Sequence, residues 1–78
     1  MLKAFILIRV GERKAYSAAY YKEVFSKIKG VEEVHVLFGQ YDFILKIQAE
    51  NVDALAQIVD NEIRIIPGVH STETFIAY

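Results

Sequence analysis

The chain has 78 residues, with nine Lys plus Arg against ten Asp plus Glu for a net charge of −1, 54% hydrophobic residues and no cysteine. These values exclude disulfides, thiolate metal sites and cysteine nucleophiles, and basic residues scattered along a nearly neutral chain disfavour direct binding to nucleic acid. The length allows one domain, residues 1–78, which buries only about 60–65% of the surface its unfolded chain exposes, so this much apolar content predicts association with further copies.

Leu2 to Val10 is apolar at both parities (Ala4, Ile6 and Ile8 against Phe5 and Leu7) and reads as a central strand covered on both faces. Its apolar run is too short to cross a bilayer and no small-residue cleavage pattern follows it, so neither a membrane nor an export signal is expected and the default location is cytoplasmic. Gly11 ends the strand. From about Arg13 to Lys29, Ala18, Tyr21, Val24, Phe25 and Ile28 recur at helical spacing, and Gly30 is a natural stop. Tyr16 and Tyr20 would share a second face of that helix, either as an interface between dimers or as a solvent-exposed pair.

Val31 to Phe38 alternates as a strand, with Val34, Val36 and Phe38 on one side, and Phe43 to Ala49 alternates likewise. A short turn at Gly39 makes the two an antiparallel hairpin. Asn51 is a good N-cap, Asp53 suits the first turn, and Val52, Leu55, Ala56, Val59 and Ile63 form the apolar stripe of a second helix that stops before Pro67. Val69 to Tyr78 is a last strand. Ile28-Lys29-Gly30-Val31 is echoed by Ile66-Pro67-Gly68-Val69, each where a helix hands over to a strand. The order β-α-β-β-α-β with this echo predicts an α+β, ferredoxin-like fold: a four-stranded antiparallel sheet with both helices on one face. The other face would show Phe5, Leu7, Leu37 and Ile44 to water, and a partner sheet is the obvious cover, giving a dimeric αβ sandwich.

The chemistry concentrates in the turn. Gly39 supplies conformational freedom, while Tyr41 and Asp42 add a flat amphipathic ring and an anionic acceptor beside free backbone amides. Asp42 could take the ammonium of an amino acid while the turn amides take its carboxylate, or it could simply bond its own turn. Tyr41 is equally suited to packing or ligand contact. Ser71, Thr72 and Thr74 line a strand, and Thr72 and Thr74 share a face, as a cleft requires and as ordinary β-propensity would also give. His35 and His70 could be neighbours across the fold, but without carboxylate ligands they make a poor metal site. There is no nucleophile-base set and no Gly-rich phosphate loop, so neither catalysis nor a cofactor is expected.

Gly39-Gln40-Tyr41-Asp42, followed by Glu62-Ile63-Arg64-Ile65-Ile66-Pro67-Gly68-Val69-His70-Ser71-Thr72-Glu73-Thr74, resembles the effector-binding (RAM) domain of the Lrp/AsnC transcription regulators over essentially the whole chain. The resemblance implies a sheet-to-sheet dimer that assembles into tetramers, octamers or decamers and binds an amino acid or related small molecule between subunits. It implies a pocket formed by Gly39, Gln40, Tyr41 and Asp42 with Ser71, Thr72 and Thr74. The family's helix-turn-helix domain has no counterpart before the first strand, so the chain is similar to stand-alone versions, which would act by co-assembling with full-length Lrp/AsnC regulators. The rival readings are a small dimeric α+β barrel enzyme of the monooxygenase kind and a pure oligomerisation scaffold.

Overall fold

A computed structural model describes residues 1–11 and 16–78. Strand β1 spans Leu2–Val10, helix α1 Ala18–Ser26, strand β2 Val31–Val36, strand β3 Phe43–Ala49, helix α2 Val52–Ile58 and strand β4 Val69–Ala77. The sheet is antiparallel in the order β2-β3-β1-β4, the expected ferredoxin-like plan.

Alternation along the central strands decides which side chains meet the helices. Ala4, Ile6, Ile8 and Val10 of β1, with Phe43, Leu45, Ile47 and Ala49 of β3, are buried in one cluster with Tyr21 and Phe25 of α1 and Leu55, Val59 and Ile63 beyond. An aromatic triangle holds α1 down: Tyr21 lies 5.9 Å from Phe25 and 5.8 Å from Phe43, and Phe25 lies 5.3 Å from Phe43, between ring centroids. The Tyr21 hydroxyl would be costly to bury alone, and it donates to the Pro67 carbonyl at 2.7 Å. On the opposite, open face, Phe5, Leu7 and Ile44 are half-buried and Phe75 is 50% exposed.

Both helices start as their sequences dictate. The Ser17 hydroxyl accepts the Tyr20 N–H and the Asn51 side chain accepts the Ala54 N–H, each satisfying a donor with no partner inside its helix. Tyr16, just before the Ser17 cap, lies edge-on to Tyr21 at 6.0 Å, an aromatic form of the hydrophobic staple, and stacks on Tyr20 at 4.2 Å. After α2 the helix widens to π geometry over Val59–Ile63, closed by the Arg64 N–H to the Val59 carbonyl at 2.9 Å. The echoed tetrapeptides are one structure twice: Val31 N–H bonds Ile28 O and Val69 N–H bonds Ile66 O, both at 3.1 Å, around Gly30 at φ 98° and Gly68 at φ 95°.

Several expectations from the sequence are corrected. Tyr16 precedes the first helix, and the helical segment expected from Arg13 falls partly outside the described residues. Strand β2 ends at Val36, leaving Phe38 fully exposed in the loop and not on the Val34 side of a strand. In α2, Val52 and Ala56 are exposed, and Ala54 and Ile58 pack on the core in their place. His35 on β2 and His70 on β4 stand at opposite edges of the sheet, so they are not neighbours.

Candidate functional site

The hairpin connection is wider than a tight turn. The Leu37 N–H donates to the Asp42 carbonyl at 2.8 Å, leaving residues 38–41 as the loop. Gly39 takes φ 154° with nothing within 4 Å of where a Cβ would stand, so glycine is there for its backbone and not for space.

Asp42 ties this loop to β1. Regular pairing of β1 with β3 ends at Ile8 opposite Phe43. Beyond it, the Asp42 N–H donates to the Ile8 carbonyl at 2.8 Å and the Val10 N–H donates to Asp42 Oδ2 at 2.7 Å. The side chain thus stands in for a ladder carbonyl and satisfies a part-buried donor. The Asp42 carboxylate therefore reaches across to β1, while its carbonyl closes the hairpin with the Leu37 N–H.

Next to Val10, the half-buried Arg9 points to the open face. Its Nε donates to the Gln40 carbonyl at 3.1 Å and its guanidinium carbon lies 5.8 Å from the centre of the Tyr41 ring, within cation–π range. The Tyr41 hydroxyl donates to Glu73 on β4. That bond, followed by desolvation and the Glu73 charge, raises the Tyr41 pKa above its ordinary 10.0, against a smaller lowering from Arg9. Two links therefore join Arg9 of β1 to the loop, and a third joins the loop to β4.

Register decides which β4 residues can join. Ser71 pairs with Arg9 and Glu73 with Leu7, so both lie on the open face beside Tyr41. Thr72 pairs with the buried Ile8 and Thr74 with the buried Ile6, which puts both threonines on the helix side. Thr74 there borders a shallow hollow of about 240 Å³ with Val52, Leu55 and Ile76. One chain therefore brings Gln40, Tyr41 and Asp42 together with Ser71, and it holds Thr72 and Thr74 across the sheet from them. The sequence reading missed Arg9 and Glu73. A charge near the end of a mostly apolar strand, as Arg9 is, is the one signal that could have flagged the first.

A larger hollow, about 670 Å³, opens at the other end of the sheet between Val31, Gln48, Glu50, Ile58 and Asn61, and none of the expected site residues lines it. Among the described residues no three His, Cys, Asp or Glu side chains gather as metal ligands, and no helix is long and apolar enough to cross a membrane.

Comparison with known proteins gives a consistent result. The model of the Lrp/AsnC ligand binding domain matches residues 3–78. An uncharacterised HTH-type transcriptional regulator of Pyrococcus abyssi is 37% identical over 75 residues, which are 96% of this chain and 50% of that protein. The chain thus spans about half the length of this curated relative. The crystal structure of a Thermus thermophilus protein, 29% identical, superposes with a TM-score of 0.88 over 100% of this chain and 94% of that one. A Neisseria meningitidis transcriptional regulator crystallised with L-Met, 23% identical, shares the fold with a TM-score of 0.85 over 99% of this chain and 49% of its own.

Proposed function

Because the chain belongs to the Lrp/AsnC ligand-binding domain family, we propose that it is a small-molecule sensing module whose effector is an amino acid or a related metabolite. The observation that carries this reading is the convergence at the 38–41 loop. There an exposed backbone stretch meets a cation, Arg9, and two anions, Asp42 and Glu73, beside an aromatic wall, Tyr41. Charges of both signs around a flat ring suit a small zwitterion. The Neisseria regulator's bound L-Met is in keeping with that class.

In this reading Gly39, Gln40, Tyr41, Asp42 and Ser71 make the half of the site that one chain offers. Thr72 and Thr74 enter only from a neighbouring copy whose helix-side β4 edge lies against the loop. The open face of Phe5, Leu7, Ile44 and Phe75 is covered by a second sheet, and such dimers assemble into a tetramer, octamer or decamer. The module is non-catalytic and cytoplasmic, and it acts on transcription by co-assembling with full-length Lrp/AsnC regulators.

A thermal-shift panel of the proteinogenic L-amino acids tests the reading, because a ligand that binds only the folded state raises its melting temperature. At a hundred times its Kd an effector adds about 2.7 kcal/mol, which corresponds to roughly 10–20 °C for a domain of this size. A panel with no shift favours the scaffold reading, and turnover of any compound favours the enzyme.

A further inference from the structure

Arg9 is set apart from three other basic side chains of this molecule. Arg64 has Asp60 at 3.7 Å, Lys27 has Glu23 at 3.2 Å and Lys46 has Glu33 at 3.6 Å. Among the described residues Arg9 has no carboxylate in ion-pair reach, although it is half-buried and held on two sides. Its Nε is occupied by the Gln40 carbonyl, and the Tyr41 ring, fixed through its hydroxyl to Glu73, lies against its guanidinium. What remains is the pair of terminal nitrogens, the planar donor fork that matches a carboxylate with two parallel hydrogen bonds. Holding such a fork rigid beforehand removes much of the ordering cost of using it.

We infer that Arg9 is the carboxylate receptor of this site: the ligand is an α-carboxylic acid whose carboxylate docks on the Arg9 terminal nitrogens, with Tyr41 as the wall beside it. This deepens and rests on the sensing function proposed above, and it moves the carboxylate from the turn amides to a side chain of β1. Asp42 and Glu73 then lie where the amino end of an amino acid finds negative charge. Gln40 and Glu73 are positioning residues: the first acts on Arg9 through its carbonyl, the second through Tyr41.

The test is calorimetric titration of the full chain with the L-amino acids and their α-carboxamides. On the unmutated protein the strongest-binding amino acid should weaken about ten- to hundredfold on conversion to its amide, the loss expected for a charge-assisted pair. Arg9→Gln should bind acid and amide alike, both weakly. Arg9→Lys, which keeps the charge and the aliphatic stem but not the fork, should fall between. Tyr41→Phe should weaken the acid and narrow the preference for acid over amide, a change that a general loss of packing would not produce. Equal binding of acid and amide by the unmutated protein overturns the inference without requiring any variant to fold. Full discrimination retained in Arg9→Gln also overturns it, returns the carboxylate to the turn amides, and leaves the sensing function standing. Failure of every amino acid to bind the unmutated protein removes the sensing function itself, and the inference with it.

Discussion

The Asp42 carboxylate accepts the Val10 N–H at 2.7 Å, thirty-two residues away in sequence, where the β1–β3 ladder has run out of backbone partners. A residue that on the face of it offers charge to a ligand is therefore also part of the sheet. Removing it acts on the fold as well as on the site.

Asp42→Ala should destabilise the protein by about 1–3 kcal/mol, since it strands a part-buried donor. Asp42→Asn keeps an acceptor oxygen for Val10 and should cost distinctly less. Urea unfolding of the two variants measures the difference, and equal losses would mean that charge, not hydrogen bonding, is what the fold needs there. Ligand tests of this residue belong on the Asn variant.

Gly30 and Gly39 make a controlled pair. A Cβ on Gly30 would sit 2.8 Å from the Gln48 carbonyl at φ 98°, whereas one on Gly39, at φ 154°, would meet nothing within 4 Å. Gly39→Ala should cost only backbone strain, about 1–2 kcal/mol. Gly30→Ala should cost that plus the displacement of β3, whose Gln48 N–H bonds Gly30 O at 2.8 Å, and the midpoints of chemical denaturation should rank the two accordingly.

Tyr41 should titrate above its ordinary 10.0 because its hydroxyl donates to Glu73. Its folded value is raised, so its contribution to stability is present below about pH 10 and fades as the pH climbs through the folded value. Ring-carbon NMR of labelled tyrosine in the unmutated protein and in Glu73→Gln reads this directly: the variant's Tyr41 should return toward 10.0.

Glu33 behaves with the opposite sign. Its bond to His35 Nε2 at 2.9 Å, then the charge of Lys46 at 3.6 Å, hold its pKa below 4.5. A lowered carboxylate stabilises the fold above pH 4.5 and loses that contribution as the pH falls through the folded value. The effect is small because Glu33 is exposed. Carboxyl NMR should show Glu33 rising toward 4.5 in His35→Ala.

The architecture is legible in the sequence because its signals are local. A run apolar at both parities marks Leu2–Val10, whose expected and observed bounds coincide, and Asn51 marks a helix start through its own chemistry. Gly30, expected to stop the first helix, instead sits in the turn into β2, four residues beyond the last helical residue, Ser26. The site is less legible because its geometry comes from register. Nothing in Ser71-Thr72-Glu73-Thr74 read alone says which hydroxyls face Tyr41; the pairing of Arg9 with Ser71 decides it. Phe38 misleads for a related reason. Its β-propensity extends the pattern of Val34 and Val36, but by Leu37 the chain has already bonded back to Asp42, and the aromatic is carried out into the loop.

The order β2-β3-β1-β4 has a mechanical consequence. No strand of β1-α1-β2 pairs with another strand of that half, and the same is true of β3-α2-β4: each ladder in the sheet joins one half to the other. Neither half can be a sheet alone. The two interlock like the fingers of clasped hands, and the 38–41 loop is their covalent joint. A molecule that settles against that joint and grips β1 and β4 together stiffens the clasp itself, so occupancy of the site would be felt along every ladder at once.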